Sequence, residues 1–92
     1  MHAVVVAVQI EPDQADASRT VLQNEVVPRV AQSPGFSSGY WTAADDQTNG
    51  LSMVMFDTKE NAEAAADMAR STPLPPGVTM DRIEVREVVA QA

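Results

Sequence analysis

The order of the strand-forming and helix-forming segments constrains the fold of this chain more than any single motif does. A β-branched run at residues 3–10 (AVVVAVQI) ends before Pro12 and predicts a first strand. Residues 36–43 and 51–57 predict two more strands. The stretch ADDQTNG between them, whose Asp, Asn and Gly residues suit positive φ, predicts a hairpin. Residues 78–89 (VTMDRIEVREVV) alternate in character and predict a long last strand.

A first helix is expected between the first two strands. Apolar or small residues recur there every three or four positions, at Ala15, Ser18, Leu22, Val26 and Val30. Asp13 or Asp16 is expected to cap its N-terminus. Pro28 lies inside this helix and lacks a backbone N–H, so we expect a kink near residues 24–28. The kink also accounts for Arg29, which otherwise falls on the apolar stripe.

A second helix is expected over residues 58–71, with four alanines on one face: Ala62, Ala65, Ala66 and Ala69. The pair Asp57 and Glu60 has the spacing of a capping box and is expected to close the N-terminus of this helix. The stretch STPLPPG at residues 71–77 then predicts a stiff linker into the last strand.

Together these elements predict an α+β chain with ferredoxin-like βαββαβ topology. Two right-handed crossovers in this order give a four-stranded antiparallel sheet with both helices on one face. The chain has 92 residues, so residues 1–92 are expected to form a single domain.

Both faces of the predicted sheet are apolar, although two helices can cover only one of them. Alternation places Val4, Val6 and Val8 on one face of the first strand and Ala3, Val5 and Ala7 on the other. An open face of this kind exposes several hundred Å² of apolar surface, and covering it is worth about 10 kcal/mol before association costs. We therefore expect a homodimer packed sheet against sheet, a dimeric α+β barrel. The alternative is a monomer whose termini or loops cover the second face.

The net charge and the missing cysteines exclude several classes of function. A net charge of −7 argues against a nucleic acid partner and against binding to an anionic membrane surface. No apolar run approaches the ~20 residues that a membrane span needs. Without cysteine there is no disulfide and no thiolate metal site, which favours a cytoplasmic location.

Three stretches follow the first strand: VVPRVAQSPGF at the end of the first helix, GYW in the second strand, and VMFDTKENAEAAA at the start of the second helix. Over residues 3–88 the chain resembles the antibiotic biosynthesis monooxygenase-like family of the dimeric α+β barrel superfamily. The resemblance implies a ferredoxin-like subunit and a dimer whose two sheets form a barrel. Some members are cofactor-independent oxygenases of aromatic polyketides, others degrade haem, and many have no assigned activity.

The resemblance to the haem-degrading branch is incomplete. That branch uses a helix-borne histidine together with an asparagine and a tryptophan. Asn24 and Trp41 are present here, but the only histidine is His2, on or before the first strand. We therefore expect no metal and no other cofactor.

All four aromatic residues lie within residues 33–56, as Phe36, Tyr40, Trp41 and Phe56. Tyr40 and Trp41 are adjacent, so one is expected to face the helices and the other the dimer side. Phe36 and Tyr40 are in phase and are expected to line one wall of a pocket, where the Tyr40 phenol offers a hydrogen bond. The alternative is that these aromatics pack in the core or in the interface.

The candidate catalytic residues are Tyr40 and His2. The imidazole of His2 is the expected general base, and the alternative is a surface histidine near a frayed terminus. The candidate substrate-binding residues are Phe36, Trp41, Met55, Phe56 and Arg82. Arg82 shares a strand face with Glu84 and Arg86, so it either orients an anionic substrate or belongs to a solvated charge ladder.

Three readings of the function remain open from the sequence. The first is a cofactor-independent, monooxygenase-like enzyme that binds a small aromatic or polyketide-type substrate between sheet and helices. The second is a small-molecule-binding or regulatory domain without turnover, which the sparse set of titratable groups favours. A stress-related protein without assigned chemistry is a third reading. An open cavity beside Tyr40 and Trp41 with a base in reach would favour the enzyme.

Overall fold

Four antiparallel strands form one sheet in the spatial order β2-β3-β1-β4 in the computed structural model, which describes residues 1–92. The strands are β1 (His2–Ile10), β2 (Phe36–Ala43), β3 (Asn49–Phe56) and β4 (Val78–Glu87). β1 and β3 are central, and β2 and β4 form the edges. This strand order is that of the ferredoxin-like fold, so the fold class predicted from the sequence is confirmed.

The N-terminal helix, residues 15–31, is not a uniform α-helix. It consists of α1 (Ala15–Val21), a π-helical turn (Leu22–Val26) and α2 (Val27–Ala31). In the π turn the backbone N–H of Val27 donates to the carbonyl oxygen of Leu22, five residues earlier. The widened turn ends two residues before Pro28, which has no N–H to donate to an α-helical partner. This turn overlaps residues 24–28, where the kink is expected, and π turns are a common site of helix kinks.

The prediction that Asp13 or Asp16 caps the N-terminal helix is wrong. A 3₁₀ turn, Pro12–Gln14, precedes the helix, and neither it nor α1 has a side-chain cap. Asp13 lies within the 3₁₀ turn and Asp16 already lies in the first turn of α1, so neither occupies the capping position.

The second helix, α3 (Lys59–Ser71), is capped one residue later than predicted. The hydroxyl of Thr58, not the carboxylate of Asp57, accepts a hydrogen bond from the backbone N–H of Asn61 at 3.1 Å. Asp57 instead accepts from the side-chain amide of Asn61 at 2.8 Å. Thr58 has the extended backbone of an N-cap residue, so its hydroxyl reaches the first turn.

Each edge strand contains one extra residue that reverses its alternation. In β2, Phe36 pairs with Phe56 and Ser38 with Met55, which leaves Ser37 unpaired. In β4 the register shifts at Asp81, whose carboxylate accepts a 2.6 Å hydrogen bond from the Gln9 side chain. A bulge of this kind turns every later side chain to the other face.

The bulge at Ser37 overturns one sequence prediction. Phe36 and Tyr40 do not share a face: Phe36 packs against the buried core, whereas Tyr40 is 72% exposed. The residue in phase with Phe36 is Trp41, which also packs against the core. The prediction that Tyr40 and Trp41 point to opposite faces of the sheet agrees with the structure.

The two helices pack very differently against the sheet. α3 lies close to it through Ala62 and Ala66, which are both fully buried and contact the core around Val4, Val54 and Phe56. The N-terminal helix buries only Ala15 and Ser18, at its first turns. Its later apolar residues are half-buried, so a space remains between this helix and the sheet.

The turn between β2 and β3 places its positive φ at an unexpected residue. Gln47 has φ 64°, and none of the Asp, Asn or Gly residues of the turn does. Asp46 stabilises the turn because its carboxylate accepts from the hydroxyl of Thr48 at 2.7 Å and from the backbone N–H of Thr48 at 3.0 Å. These hydrogen bonds lower the pKa of Asp46 below its ordinary value of 3.8.

Candidate functional site

The space between the sheet and the N-terminal helix is a cavity of about 620 Å³. Its floor is the helix face of the sheet, including Val4, Val6, Val8, Val54 and Phe56. Its opposite wall is the N-terminal helix, with Leu22, Val26, Val27 and Val30. The end of α3 and the linker into β4 close one side, through Met68, Ala69, Thr72, Pro73, Leu74 and Pro75. A volume of this size is within the range of about 300–1,000 Å³ that is typical of small-molecule sites.

The π turn shapes the wall that faces the sheet. Leu22, Gln23 and Val26 belong to this turn, and all three line the cavity. A π turn widens the helix locally and changes which side chains face one direction. Val26 and Val27 are adjacent, yet both face the cavity.

Trp41 is the aromatic wall of the cavity, and Gly39 makes room for it. A Cβ atom on Gly39 would lie 3.0 Å from two atoms of the Trp41 ring, so the indole lies directly over this glycine. The cavity floor also contains Phe56, which forms an edge-to-face pair with Phe36 at a centroid distance of 6.3 Å. Phe36 lies beside Phe56 on the neighbouring strand and does not itself line the cavity.

Two arginines line the cavity at its solvent-exposed side. Arg19 donates from Nη2 to the side-chain oxygen of Gln47 at 2.8 Å. Gln47 also lines the cavity, and its amide donates in turn to the carbonyl oxygen of Ala44 at 3.2 Å. Arg29 also lines the cavity, and its guanidinium makes no hydrogen bond or ion pair to another side chain.

The structure brings together only part of the predicted site. Trp41 and Phe56 line the cavity. Tyr40, Met55 and Arg82 belong to the opposite face of the sheet, because their strand partners there are Met53, Ala3 and Ala7. Arg82 is also paired, with its Nε 3.8 Å from the carboxylate of Glu84, and Arg86 lies 3.2 Å from the same oxygen atom. The charge-ladder reading of this strand face agrees with these contacts.

His2 lies at the start of β1, opposite Phe56 and Glu87, and does not line the cavity. Its Nδ1 atom is buried and has no hydrogen-bond partner. No aspartate, glutamate or histidine lines the cavity, so the expected general base is not within it.

Neither Arg19 nor Arg29 is among the site residues predicted from the sequence. Arg29 falls on the apolar stripe of the first helix, and the expected kink predicts that it lies off that stripe. In the structure it stays on the cavity side of the helix. A cation on an apolar stripe was therefore the available signal of a polar group in the site.

No three acidic or histidine side chains come close enough together to hold a metal ion. None of the helices combines the length and the apolar composition needed to cross a membrane.

No protein-family model matches the sequence, and the search among curated proteins finds no match either. Solved structures do match. HapK from Hahella chejuensis aligns with a TM-score of 0.72 at 13% identity, over 100% of this chain and 96% of that chain. A putative antibiotic biosynthesis monooxygenase from Chloroflexus aurantiacus aligns with a TM-score of 0.63 at 17% identity, over 99% of this chain and 95% of that chain.

A third match is a monooxygenase of Streptomyces coelicolor, ActVA-Orf6, in complex with nanaomycin D. It aligns with a TM-score of 0.59 at 14% identity, over 99% of this chain and 92% of that chain. This chain therefore has the fold of antibiotic biosynthesis monooxygenase-like proteins, and the resemblance noted from the sequence is confirmed at the level of the fold.

Proposed function

We propose that this chain binds a small planar aromatic molecule in the cavity between the sheet and the N-terminal helix and oxidises it with molecular oxygen. The observation that carries the proposal is the cavity itself, an apolar space of about 620 Å³ with one indole on its wall. Half-buried valines and leucine face this space, and a bound ring would remove their surface from water. The fold shared with monooxygenase-like proteins supports the oxidation step.

A reaction that needs only the substrate and oxygen can be written for a phenol. The phenolate gives an electron to O₂, and the two radicals combine to form a carbon–oxygen bond at the ring carbon para to the phenolate oxygen. The proton then leaves that carbon, the peroxide O–O bond breaks, and a carbonyl group and water form. For 1-naphthol the balance is C₁₀H₈O + O₂ → C₁₀H₆O₂ + H₂O, so one oxygen atom enters the product and no external reductant is required.

The cavity lining determines which part of this chemistry the protein supplies. With no aspartate, glutamate or histidine in the lining, the substrate must bring an acidic hydroxyl of its own. The apolar walls exclude water from the ring and the peroxide, and Trp41 orients the ring by stacking. The substrate class that fits is therefore a phenol or quinol of fused rings.

Oxygen uptake with 1-naphthol tests the proposal. We expect consumption of one O₂ per naphthoquinone formed, with one labelled oxygen atom in the product under ¹⁸O₂. Trp41→Ala should reduce the rate, because the stacking wall is lost. Tyr40→Phe, on the other face of the sheet, is the matched control and should leave the rate unchanged. An uptake rate equal to that of buffer alone, in a protein that binds 1-naphthol, would contradict the enzymatic part of the proposal.

Binding without turnover is the second candidate, and one observation favours it. The only charged side chains in the lining are arginines, so the cavity has no group to take a proton from a weakly acidic substrate. A fluorescence titration with 1-naphthol, run beside the oxygen-uptake assay, separates the two functions. In a binding protein 1-naphthol would quench the single tryptophan and no oxygen would be consumed.

We also propose that two copies pair through the face of the sheet that has no helices. On this face Tyr40, Leu51 and Met53 are 72%, 45% and 42% exposed, respectively. They lie on neighbouring strands, since Tyr40 pairs with Met53 and Leu51 lies two residues before Met53 on β3. An isologous contact would cover these side chains and close a dimeric barrel.

A further inference from the structure

The cavity is positively charged within an acidic protein, and we infer that its ligand is an anion: an aromatic carboxylate or phenolate held by Arg19 and Arg29. This inference rests on the proposed binding of an aromatic molecule in the cavity, and it specifies the charge of that molecule.

The pairing of the basic residues supports the inference. The chain has six Lys and Arg residues against thirteen Asp and Glu. Four of the six have an acidic partner: Lys59 with Glu63, Arg70 with Asp67, and Arg82 and Arg86 with Glu84. The two without an acidic partner are Arg19 and Arg29, and both line the cavity. In a chain of net charge −7, two unneutralised cations on one cavity mark it as a place for an anion.

Arg19 is held in place and keeps most of its donors free. One guanidinium nitrogen donates to Gln47, whose own amide is fixed on the carbonyl oxygen of Ala44. Gln47 adopts φ 64°, a conformation that residues other than glycine seldom take. A neutral partner orients Arg19 without cancelling its charge, and four of its five N–H groups remain available for a carboxylate.

The surroundings of the arginines strengthen their attraction for an anion. No carboxylate lines the cavity to compete for them, and most of the lining is apolar. A charge pair interacts more strongly where the walls have a low dielectric constant than it does in open water. An aromatic anion would therefore place its rings on Trp41 and the valines and its charge on the guanidinium groups.

A pair of probes that differ in charge and little in shape tests the inference. Calorimetric titration of 2-naphthoate and of naphthalene-2-carboxamide gives both affinities on the same cavity. We expect 2-naphthoate to bind about 10-fold more tightly, since a charge-assisted hydrogen bond replaces a neutral one. Its affinity should fall with added salt, whereas that of the carboxamide should not change.

Arginine variants identify the groups responsible. Arg19→Gln and Arg29→Gln should each lower the affinity for 2-naphthoate by about 3- to 10-fold and leave the affinity for the carboxamide unchanged. The expected loss is modest because both arginines are exposed to solvent. Lys59→Gln removes the same charge away from the cavity and is the matched control, with no expected effect on either probe. Both arginines lie at the surface, and a melting curve of each variant confirms that it is folded.

The outcomes separate this inference from the proposed function. Equal affinities for the two probes in wild type, or arginine variants that bind 2-naphthoate as wild type does, would overturn the inference and leave an aromatic site in place. Failure of both probes and of 1-naphthol to bind would overturn the proposed function as well.

Discussion

Asp46 stabilises the β2–β3 turn, and this turn places Gln47 within hydrogen-bond distance of Arg19. Its carboxylate accepts two hydrogen bonds from Thr48, and Gln47 lies between the two residues with its positive φ. A side chain that fixes the backbone of a turn also fixes the groups that the turn carries. The position of Arg19 at the cavity therefore depends on a residue that does not line it.

Replacing Asp46 should lower stability in a pH-dependent way. We expect Asp46→Ala to melt at a lower temperature than wild type at pH 7, and Asp45→Ala, which removes a neighbouring carboxylate with no hydrogen bond in the turn, to melt as wild type does. The pKa of Asp46 is lowered in the folded chain, so its contribution is present above the ordinary value of 3.8 and is lost as the pH falls through the lowered value. The difference between wild type and Asp46→Ala should therefore disappear in acid. A difference that persists unchanged at pH 2 would contradict this account.

Single residues also show where sequence reasoning reached the site and where it did not. Trp41 and Phe56 were predicted as binding residues because aromatics in one segment favour a pocket, and both line the cavity. Tyr40 was predicted on the same argument and lies on the other face. Nothing in residue type distinguishes Tyr40 from Trp41, because only the local register decides which of two adjacent side chains faces the cavity.

At the scale of elements, the sequence predicted the number, type and order of the strands well. The β2 prediction of residues 36–43 coincides with the observed Phe36–Ala43, and the second helix begins one residue after its predicted start. β-branched runs, turn residues and prolines are local signals, and local structure follows them. The two bulges could not be predicted, because an unpaired residue is set by the partner strand and by the edge position.

Deleting Ser37 tests whether this residue is the unpaired one in β2. Removing Ser37 should give a regular β2 in which Phe36 still pairs with Phe56 and the next residue with Met55, so Trp41 stays in the cavity. We expect this variant to remain folded with the tryptophan emission of wild type. Inserting a second serine after Ser38 is the control: it moves Trp41 out of phase by one residue and should lower stability and shift the emission. If instead the deletion exposes Trp41, the assigned register is wrong.

At the scale of the whole molecule, the sheet carries apolar side chains on both of its faces. One forms the floor of the cavity and the other leaves Tyr40, Leu51 and Met53 in solvent. Alternating apolar residues on both faces of β1 and β3 predicted this arrangement, since side chains alternate along a strand. The cavity itself could not be predicted, because it depends on how far the N-terminal helix stands from the sheet.

A charge placed on the open face should prevent pairing. By sedimentation equilibrium at micromolar concentration we expect wild type at twice the chain mass of 9.8 kDa and Met53→Glu at 9.8 kDa. Ala64→Glu introduces the same charge on an exposed position of α3 and should leave the dimer intact. A wild-type chain that sediments as a monomer at this concentration would refute the dimer without affecting the cavity.

Amide chemical-shift mapping with 2-naphthoate shows whether an aromatic ligand binds in the cavity. The chain has one tryptophan, so a single indole N–H signal reports on the cavity wall. We expect this signal and the amides of Val6 and Val54 to shift on titration, while those of Tyr40 and Met53 on the opposite face stay in place. Shifts confined to Tyr40 and Met53, or no shifts at millimolar ligand, would contradict the account.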